Sequence, residues 1–139
     1  MKMPRYPLGV DFMDRDHAVL EALLERTPEI ADADMEAHFE AAAAELAAHF
    51  VREEAEMEKA RLSILHCHRG QHQAVLQEID RLRGEFAVAD SAMRRHIVGF
   101  NLIQLFSHHV AGVDLIAAIL LLGEDEDEEA PACGASACG

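Results

Sequence analysis

Residues 49–72 read HFVREEAEMEKARLSILHCHRGQH, and the spacing within this stretch decides the fold class. His49 and Glu53 are four residues apart, and so are His68 and His72. Four residues make about one turn of an α-helix, so each pair lies on one helix face. The stretch therefore predicts two consecutive helices, each of which carries ionisable side chains in its apolar stripe.

Apolar residues recur at helical spacings of three, four and seven in four segments of the chain. Pro28 ends the first segment, because the residue before a proline avoids helical backbone angles, and Gly123 ends the last. Four amphipathic helices with short connections pack most simply as an up-down-up-down bundle, so we predict an all-α four-helix bundle. The predicted helices span residues 14–27, 35–62, 64–88 and 90–122.

The size and composition of the chain indicate one domain. It has 139 residues, and half of them are hydrophobic, which is enough for one continuous core. We predict that the bundle comprises residues 1–123. Residues 124–139 begin with the acidic run EDEDEE and continue with Gly, Ala and Cys, a composition typical of a solvated, disordered tail.

Charge and hydropathy argue against several classes of partner. The net charge of −14 would repel the phosphates of a nucleic acid. The first ten residues lack the apolar stretch of a secretory signal, and the most apolar segment, residues 110–122, is short and contains an aspartate. We therefore expect no membrane contact. Three cysteines form an odd number without a disulfide framework, which suits a cytoplasmic protein.

Ionisable side chains fill gaps in the apolar stripe of every predicted helix. Such groups cost several kcal/mol each when they are buried without partners, so seven of them require one another or a metal ion. A metal is the simpler explanation. The seven candidate ligands are His17, His49, Glu53, His68, His72, His109 and Asp114.

The seven candidates also agree in their level along the bundle. In an up-down bundle, the starts of the first and third helices lie beside the ends of the second and fourth. At about 1.5 Å rise per residue, all seven residues fall within a layer roughly 10–15 Å thick. Independent buried histidines would have no reason to share this level.

The spacing of His109 and Asp114 does not fit a regular helix. Five residues turn an ideal α-helix by about 500°, which leaves the two side chains roughly 140° apart. Either Asp114 reaches in from the flank, or a π-helical turn near Gly112 brings both residues to one face.

The ligand types indicate which metal is bound. Five imidazoles and two carboxylates exceed what one ion accepts, so we expect two ions. Carboxylates mixed with imidazoles suit iron better than zinc or copper(I), which favour thiolates. The chain lacks the Glu-x-x-His motif of ferritin-like di-iron bundles, so the site is richer in histidine than theirs.

Taken together, these motifs resemble those of the hemerythrin family. Residues 8–17, LGVDFMDRDH, are similar to its glycine-containing approach followed by Asp-x-x-His. Residues 49–57, HFVREEAEM, resemble the motif HFxxEExxM. Residues 68–72 and 109–114, HRGQH and HVAGVD, resemble HxxxH and HIxxxD. The resemblance covers residues 8–114.

The resemblance implies a cofactor of two iron ions that share an oxo or hydroxo bridge and two bridging carboxylates. One iron keeps an open position, where the family binds dioxygen. The implied ligands are His68, His72 and His109 for the first iron, His17 and His49 for the second, open iron, and Glu53 and Asp114 as bridges.

The expected oxygen pocket departs from the family at two positions, one of them near the N-terminus, where Met3 or Pro4 stands in place of an aromatic residue. Where the family often has Trp four residues before the last histidine, this chain has Leu105. We expect the pocket to remain apolar. Its expected lining is Met13, Leu46, Leu105, Phe106 and Val110.

The remaining histidines and cysteines are not expected in the site. Cys67 adjoins His68 but is expected to pack rather than bind metal, and the Cys133-x4-Cys138 spacing differs from that of metal-binding Cys-x-x-Cys motifs. The histidines expected at the surface are His38, His66, His96 and His108.

Three functions are compatible with this site. The first, which we favour, is reversible dioxygen binding by a carrier, store or sensor rather than an enzyme. The second is a di-iron enzyme that acts on peroxide or nitric oxide. The third is an iron-handling or iron–sulfur-repair protein, for which the cysteines of residues 124–139 are the only hint. The sequence predicts no particular protein partner.

Overall fold

The computed structural model describes residues 7–123 and consists of four long helices in one bundle. Two short 3-10 turns, Thr27–Glu29 and Asp32–Asp34, connect the first two helices, and no strand occurs within the described range. This confirms the predicted all-α bundle. The helices are α1 (Asp11–Glu25), α2 (Met35–Lys59), α3 (Leu65–Val88) and α4 (Ser91–Leu122).

Local sequence explains where the helices begin and end. Pro28 stands at the start of the 3-10 turn that follows α1. Arg61 adopts a positive φ of 54° between α2 and α3 and so reverses the chain. The Asp90 side chain accepts a hydrogen bond of 2.8 Å from the backbone N–H of Met93 and caps α4. The bundle topology therefore follows from short, locally encoded connections.

The core has two apolar parts, and the ionisable layer lies between them. The larger part contains Leu20 and Leu24 of α1, which follow His17 along the helix. The smaller part contains Met13, which precedes His17, and Met57, which follows Glu53. Because the order reverses from α1 to α2, neighbouring helices run in opposite directions. The polar layer is thus covered by apolar side chains at both ends.

Helix α4 is one continuous helix with two π-helical segments, Ile97–Leu102 and Val110–Asp114. With a mean hydropathy of 1.9 in its most apolar window, α4 is long and apolar enough to cross a membrane by length and composition. The sequence-based expectation of no membrane contact rested on residues 110–122 alone. The core helix of a bundle passes the same test, and α4 also carries two buried ionisable residues.

The prediction for His38 was wrong. His38 is buried on α2, and its Nε2 lies 3.0 Å from the hydroxyl of Thr27. The Thr27 hydroxyl donates to the carbonyl of Leu24 at 2.7 Å, so it accepts from the imidazole N–H. The buried face of α2 is wider than the spacing of its apolar residues predicted, because the turn after α1 covers His38. His66, His96 and His108 are exposed, as predicted.

Candidate metal centre

The structure brings the seven predicted ligands together in one buried layer. Every helix contributes, and none of the seven residues is more than 3% exposed. Helix α1 supplies His17, α2 supplies His49 and Glu53, α3 supplies His68 and His72, and α4 supplies His109 and Asp114.

The Glu53 carboxylate divides its two oxygens between different histidines. Its Oε1 contacts Nε2 of His68 and lies 3.5 Å from Nε2 of His72. Its Oε2 lies 2.9 Å from Nε2 of His49. Glu53 therefore stands between the histidines of α3 and the histidine of its own helix.

Asp114 divides its oxygens in the same way. Its Oδ1 lies 2.9 Å from Nε2 of His109. Its Oδ2 lies 2.7 Å from Nε2 of His17 and 3.2 Å from Nε2 of His49. The two carboxylates thus separate the imidazoles into a group of three and a group of two. The first group is His68, His72 and His109, and the second is His17 and His49.

The close contacts leave several buried atoms without a hydrogen bond. Among the described residues, Nε2 of His72, Nε2 of His109, Oε2 of Glu53 and Oδ1 of Asp114 have neighbours at 2.9–3.5 Å but form no hydrogen bond of suitable geometry. In each of the two groups, the ligand atoms lie within 4.8 Å of one another. Buried polar atoms normally have partners, so this convergence of orphaned nitrogen and oxygen atoms fits metal ions as the missing partners.

A π-helical turn resolves the irregular spacing on α4. Residues Val110–Asp114 form a π-helix, whose wider turn brings His109 and Asp114 to the same face. Of the two explanations that the sequence left open, the π-turn is the one observed. The second π-segment, Ile97–Leu102, was not predicted.

Opposite charges packed together shift the pKa values of three side chains in the buried layer. Burial alone lowers the pKa of His49, but Asp114 and Glu53 outweigh it and raise that pKa to about 10. Burial and the Asp114 charge raise the pKa of Glu53, but His49, His68 and His72 lower it to about 2. Burial also raises the pKa of Asp114, but the neighbouring histidines outweigh it and hold that pKa well below its usual range.

Aromatic rings fix the orientation of two candidate ligands. Phe50 stacks on the His72 ring, with 3.9 Å between centroids and 10° between planes. Phe106 meets the His17 ring edge to face at 5.7 Å. Phe50 follows His49 directly in sequence, but the sequence did not predict that its ring contacts His72 on α3.

The expected oxygen pocket is only partly assembled. Leu46, Phe106 and Val110 are buried in the larger apolar part of the core, and Leu105 packs against it. Leu46, Leu105 and Phe106 share the lining of one small cavity with neighbouring apolar side chains. Met13 belongs to the smaller part, on the other side of the polar layer. Phe106 lines the cavity and also contacts the His17 ring, so it separates the cavity from that histidine.

Asp16 contacts the site but was not among the predicted site residues, because it lies outside the apolar stripe of α1. Its Oδ2 is 2.9 Å from Nδ1 of His49 and 2.9 Å from Nε of Arg52. Burial raises the pKa of Asp16, but these two partners lower it overall. The position of Asp16 directly before His17 in the sequence only weakly indicated a role in the site, because the chain has many other acidic residues.

The cysteine expectation needs one correction. Cys67 is half-buried on α3 and is disulfide-bonded. The sequence-based expectation was a chain without disulfides, in a reducing compartment. Cys67 belongs to neither group of candidate ligand atoms. Cys133 and Cys138, together with the expected tail of residues 124–139, lie outside the described residues.

Comparison with known proteins identifies the family. No family model matches the chain, and no solved structure matches it. A bacteriohemerythrin of Ralstonia nicotianae is 35% identical to it over 127 residues, which cover 90% of this chain and 92% of that protein. The match spans all four helices and the whole layer of candidate ligands. The chain therefore belongs to the bacteriohemerythrin family.

Proposed function

We propose that the chain binds dioxygen reversibly at a non-haem di-iron centre, as a carrier, store or sensor. One observation carries the proposal. Two fully buried carboxylates, Glu53 and Asp114, each turn one oxygen to a group of three imidazoles and the other to a group of two. Two carboxylates shared in this way suit two adjacent ions.

The unequal groups explain where an external ligand would bind. Within the described residues, His68, His72, His109 and both carboxylates converge on one position, whereas His17, His49 and Asp114 converge on the other. The second oxygen of Glu53 lies beside that second group, 2.9 Å from Nε2 of His49. The position beside His17 and His49 therefore has fewer protein ligands. When bound there, iron supplies the electrons with which dioxygen is held, as the family resemblance implies.

The donor atoms favour iron over the common alternatives. Imidazole nitrogens and carboxylate oxygens suit iron, whereas structural zinc and copper(I) sites use thiolates. The only cysteine in the described part of the chain, Cys67, is disulfide-bonded and outside the site.

The surrounding side chains would protect the bound gas from water. Leu46, Phe106 and Val110 are each less than 5% exposed, and Leu105 packs beside them. Apolar walls near His17 offer no proton donor and exclude bulk water. This environment favours binding and release of dioxygen over its further reduction.

The test begins with reduced, oxygen-free protein that has been loaded with iron. We expect two irons per chain, and a visible absorption band that appears with air and bleaches when oxygen is removed. One metal per chain, or zinc bound in preference to iron, would contradict the di-iron centre. Irreversible oxidation together with rapid turnover of peroxide or nitric oxide would instead indicate an enzyme.

A single substitution tests the role of the apolar wall. Leu105→Asn places a polar group beside the proposed pocket, so the oxygen-bound band should decay faster while the iron content stays unchanged. Leu122→Asn is the matched control, because Leu122 is 62% exposed at the far end of the same helix. Equal lifetimes in the two variants would show that Leu105 does not shield the site.

A further inference from the structure

Beyond the ligands themselves, we infer that Asp16 is a positioning residue that fixes the His49 imidazole for metal binding. This inference rests on the proposed metal centre. The relevant contact is the hydrogen bond of 2.9 Å between Nδ1 of His49 and Oδ2 of Asp16. It joins α1 to α2 on the outer side of the site.

The contact selects one form of the imidazole. Nε2 of His49 faces Glu53 and Asp114, so it is the nitrogen that would bind metal. A neutral imidazole that binds metal through Nε2 must carry its proton on Nδ1. Asp16 accepts that proton in a hydrogen bond, and it thereby fixes both the tautomer and the rotation of the ring.

The Asp16 carboxylate is itself held in place. Nε of Arg52 donates to the same Oδ2 at 2.9 Å, and Nη2 of Arg52 donates to Glu45 at 3.2 Å. The Asp16 side chain is only 13% exposed, whereas the Arg52 side chain is 45% exposed. A half-exposed arginine thus anchors a nearly buried carboxylate, which in turn anchors a candidate ligand.

Two other candidate histidine ligands, His17 and His72, lack this support. Nδ1 of His17 has no hydrogen-bond partner in the structure as described. Nδ1 of His72 lies 3.5 Å from Glu54, beyond a hydrogen bond, and it is also without a partner. Asp16 contacts His49, so we expect its effect at the position of His17 and His49, which has fewer protein ligands.

A carboxylate at Nδ1 also changes the electronic character of the ring. It makes the imidazole a stronger electron donor through Nε2, which favours the more highly charged metal. Loss of the carboxylate should therefore weaken metal binding at this position and raise the reduction potential of iron there. Residues that merely stabilise the bundle would change the melting temperature without this effect on potential.

The experiment uses the full chain loaded with Fe²⁺, and in parallel with Co²⁺ as a probe that oxygen oxidises less readily. Asp16→Asn keeps a hydrogen-bond acceptor without the charge, and Asp16→Leu removes both. We expect the weaker of the two metal affinities to fall about 10- to 100-fold in Asp16→Leu, and by less in Asp16→Asn. Arg52→Gln should have a smaller effect in the same direction.

Two readouts separate positioning from general stability. In the Co²⁺-loaded protein, the shifted NMR signal of the His49 Nδ1 proton should persist in the unmodified chain and exchange rapidly with water in Asp16→Leu. The reduction potential of the iron-loaded protein should rise in Asp16→Asn. Asp80→Asn is the control, because it removes the same charge from an exposed carboxylate that pairs with Arg83 on α3.

The outcomes distinguish this inference from the proposed function. If two irons bind and oxygen binds reversibly, but Asp16→Leu behaves like Asp80→Asn, Asp16 has no positioning role and the function stands. If the chain takes up one metal or no oxygen, yet Asp16→Leu still weakens metal binding, the positioning role stands and the function is wrong. A variant that fails to fold is replaced by Arg52→Gln, and an unchanged proton signal, affinity and potential in that variant would overturn the inference.

Discussion

The proposed centre depends most on its two fully buried carboxylates. Glu53 and Asp114 are both 0% exposed, and an isolated charge at such a depth is strongly unfavourable. Each has histidine nitrogens near both of its oxygens, so their charge is compensated by imidazoles in the metal-free chain and by metal ions in the loaded chain. Removing one carboxylate should therefore affect both metal positions.

Glu53→Gln tests this dependence. Glutamine has nearly the same shape, but its NH₂ group cannot bind metal and must face one of the two histidine groups. We expect the iron content to fall from two to one or none per chain, as measured by elemental analysis against a competing chelator. Glu56→Gln removes the same charge from the exposed surface of α2, where Glu56 pairs with Lys59. Equal iron contents in both variants would rule out Glu53 as a ligand.

We expect the buried His38 to contribute to the stability of the fold and not to the metal centre. Along α2, His38 lies 11 residues before His49, which corresponds to roughly 16 Å. Burial, with a contribution from Arg26, lowers the pKa of His38, so its ring is neutral and needs only one partner for its N–H. Thr27 supplies that partner.

Thr27→Val should therefore destabilise the fold and spare the metal centre. Valine keeps the shape but leaves the imidazole N–H of His38 buried without an acceptor, at a cost of about 1–3 kcal/mol. Urea denaturation of the iron-free protein measures this loss, and elemental analysis should show unchanged iron. His66→Gln, at an exposed position on α3, is the control. A fall in iron content with Thr27→Val would link the two regions.

At the scale of the helices, the sequence predicted most of the fold and of the candidate site. Apolar spacing and the residues Pro28 and Gly123 placed the helix ends within a few positions, because these signals act locally. The i, i+4 pairs and their shared level predicted the polar layer for the same reason. Contacts between helices were harder to predict, since the partner of Asp16 or His38 depends on helix rotation and on the path of a loop.

Gly112 lies in the π-turn of α4, and its substitution tests whether this turn depends on the conformational freedom of glycine. Gly9, which precedes α1, is the control. A Cβ atom at Gly112 would meet nothing within 4 Å, and its φ is not in the positive region. Gly112→Ala should keep the full iron content and raise stability by up to about 1 kcal/mol. Gly9, with φ of +86°, adopts a conformation that alanine disfavours by about 1–2 kcal/mol.

The matched measurement is thermal denaturation of Gly112→Ala and Gly9→Ala with and without iron. We expect only Gly9→Ala to lower the melting temperature, because it strains the turn whose backbone N–H groups bind Asp14. Loss of iron in Gly112→Ala would mean that glycine, rather than the packing of the helix, maintains the π-turn.

For the whole molecule, the polar layer links all four helices, so its protonation and metal content govern global stability. Without metal, the layer is held by attraction between protonated imidazole and carboxylate. In the proposed centre, metal ions would compete with the proton for Nε2 of His49, which faces Glu53 and Asp114. Metal binding is consequently coupled to folding and to pH at the same time.

The stability of the metal-free chain should therefore depend on pH. The pKa of His49 is raised from 6.5 to about 10 in the folded metal-free chain, so its stabilising effect is complete below pH 6.5 and is lost as the pH rises to 10. The pKa of Glu53 is lowered from 4.5 to about 2, so its effect is present above pH 4.5 and is lost in stronger acid. The metal-free chain should be most stable between about pH 4.5 and 6.5.

Thermal denaturation of metal-free and iron-loaded protein across a series of pH values measures this coupling. Between pH 6.5 and 10, we expect the melting temperature of the metal-free chain to fall. Its difference from the iron-loaded chain should widen, because fewer protons compete with iron. His49→Gln removes the titrating group, so the metal-free variant should show a flatter profile. A metal-free melting temperature that rises through this range would show that His49 is not protonated in the empty layer, and the four-helix polar layer would then have to be held by another pairing.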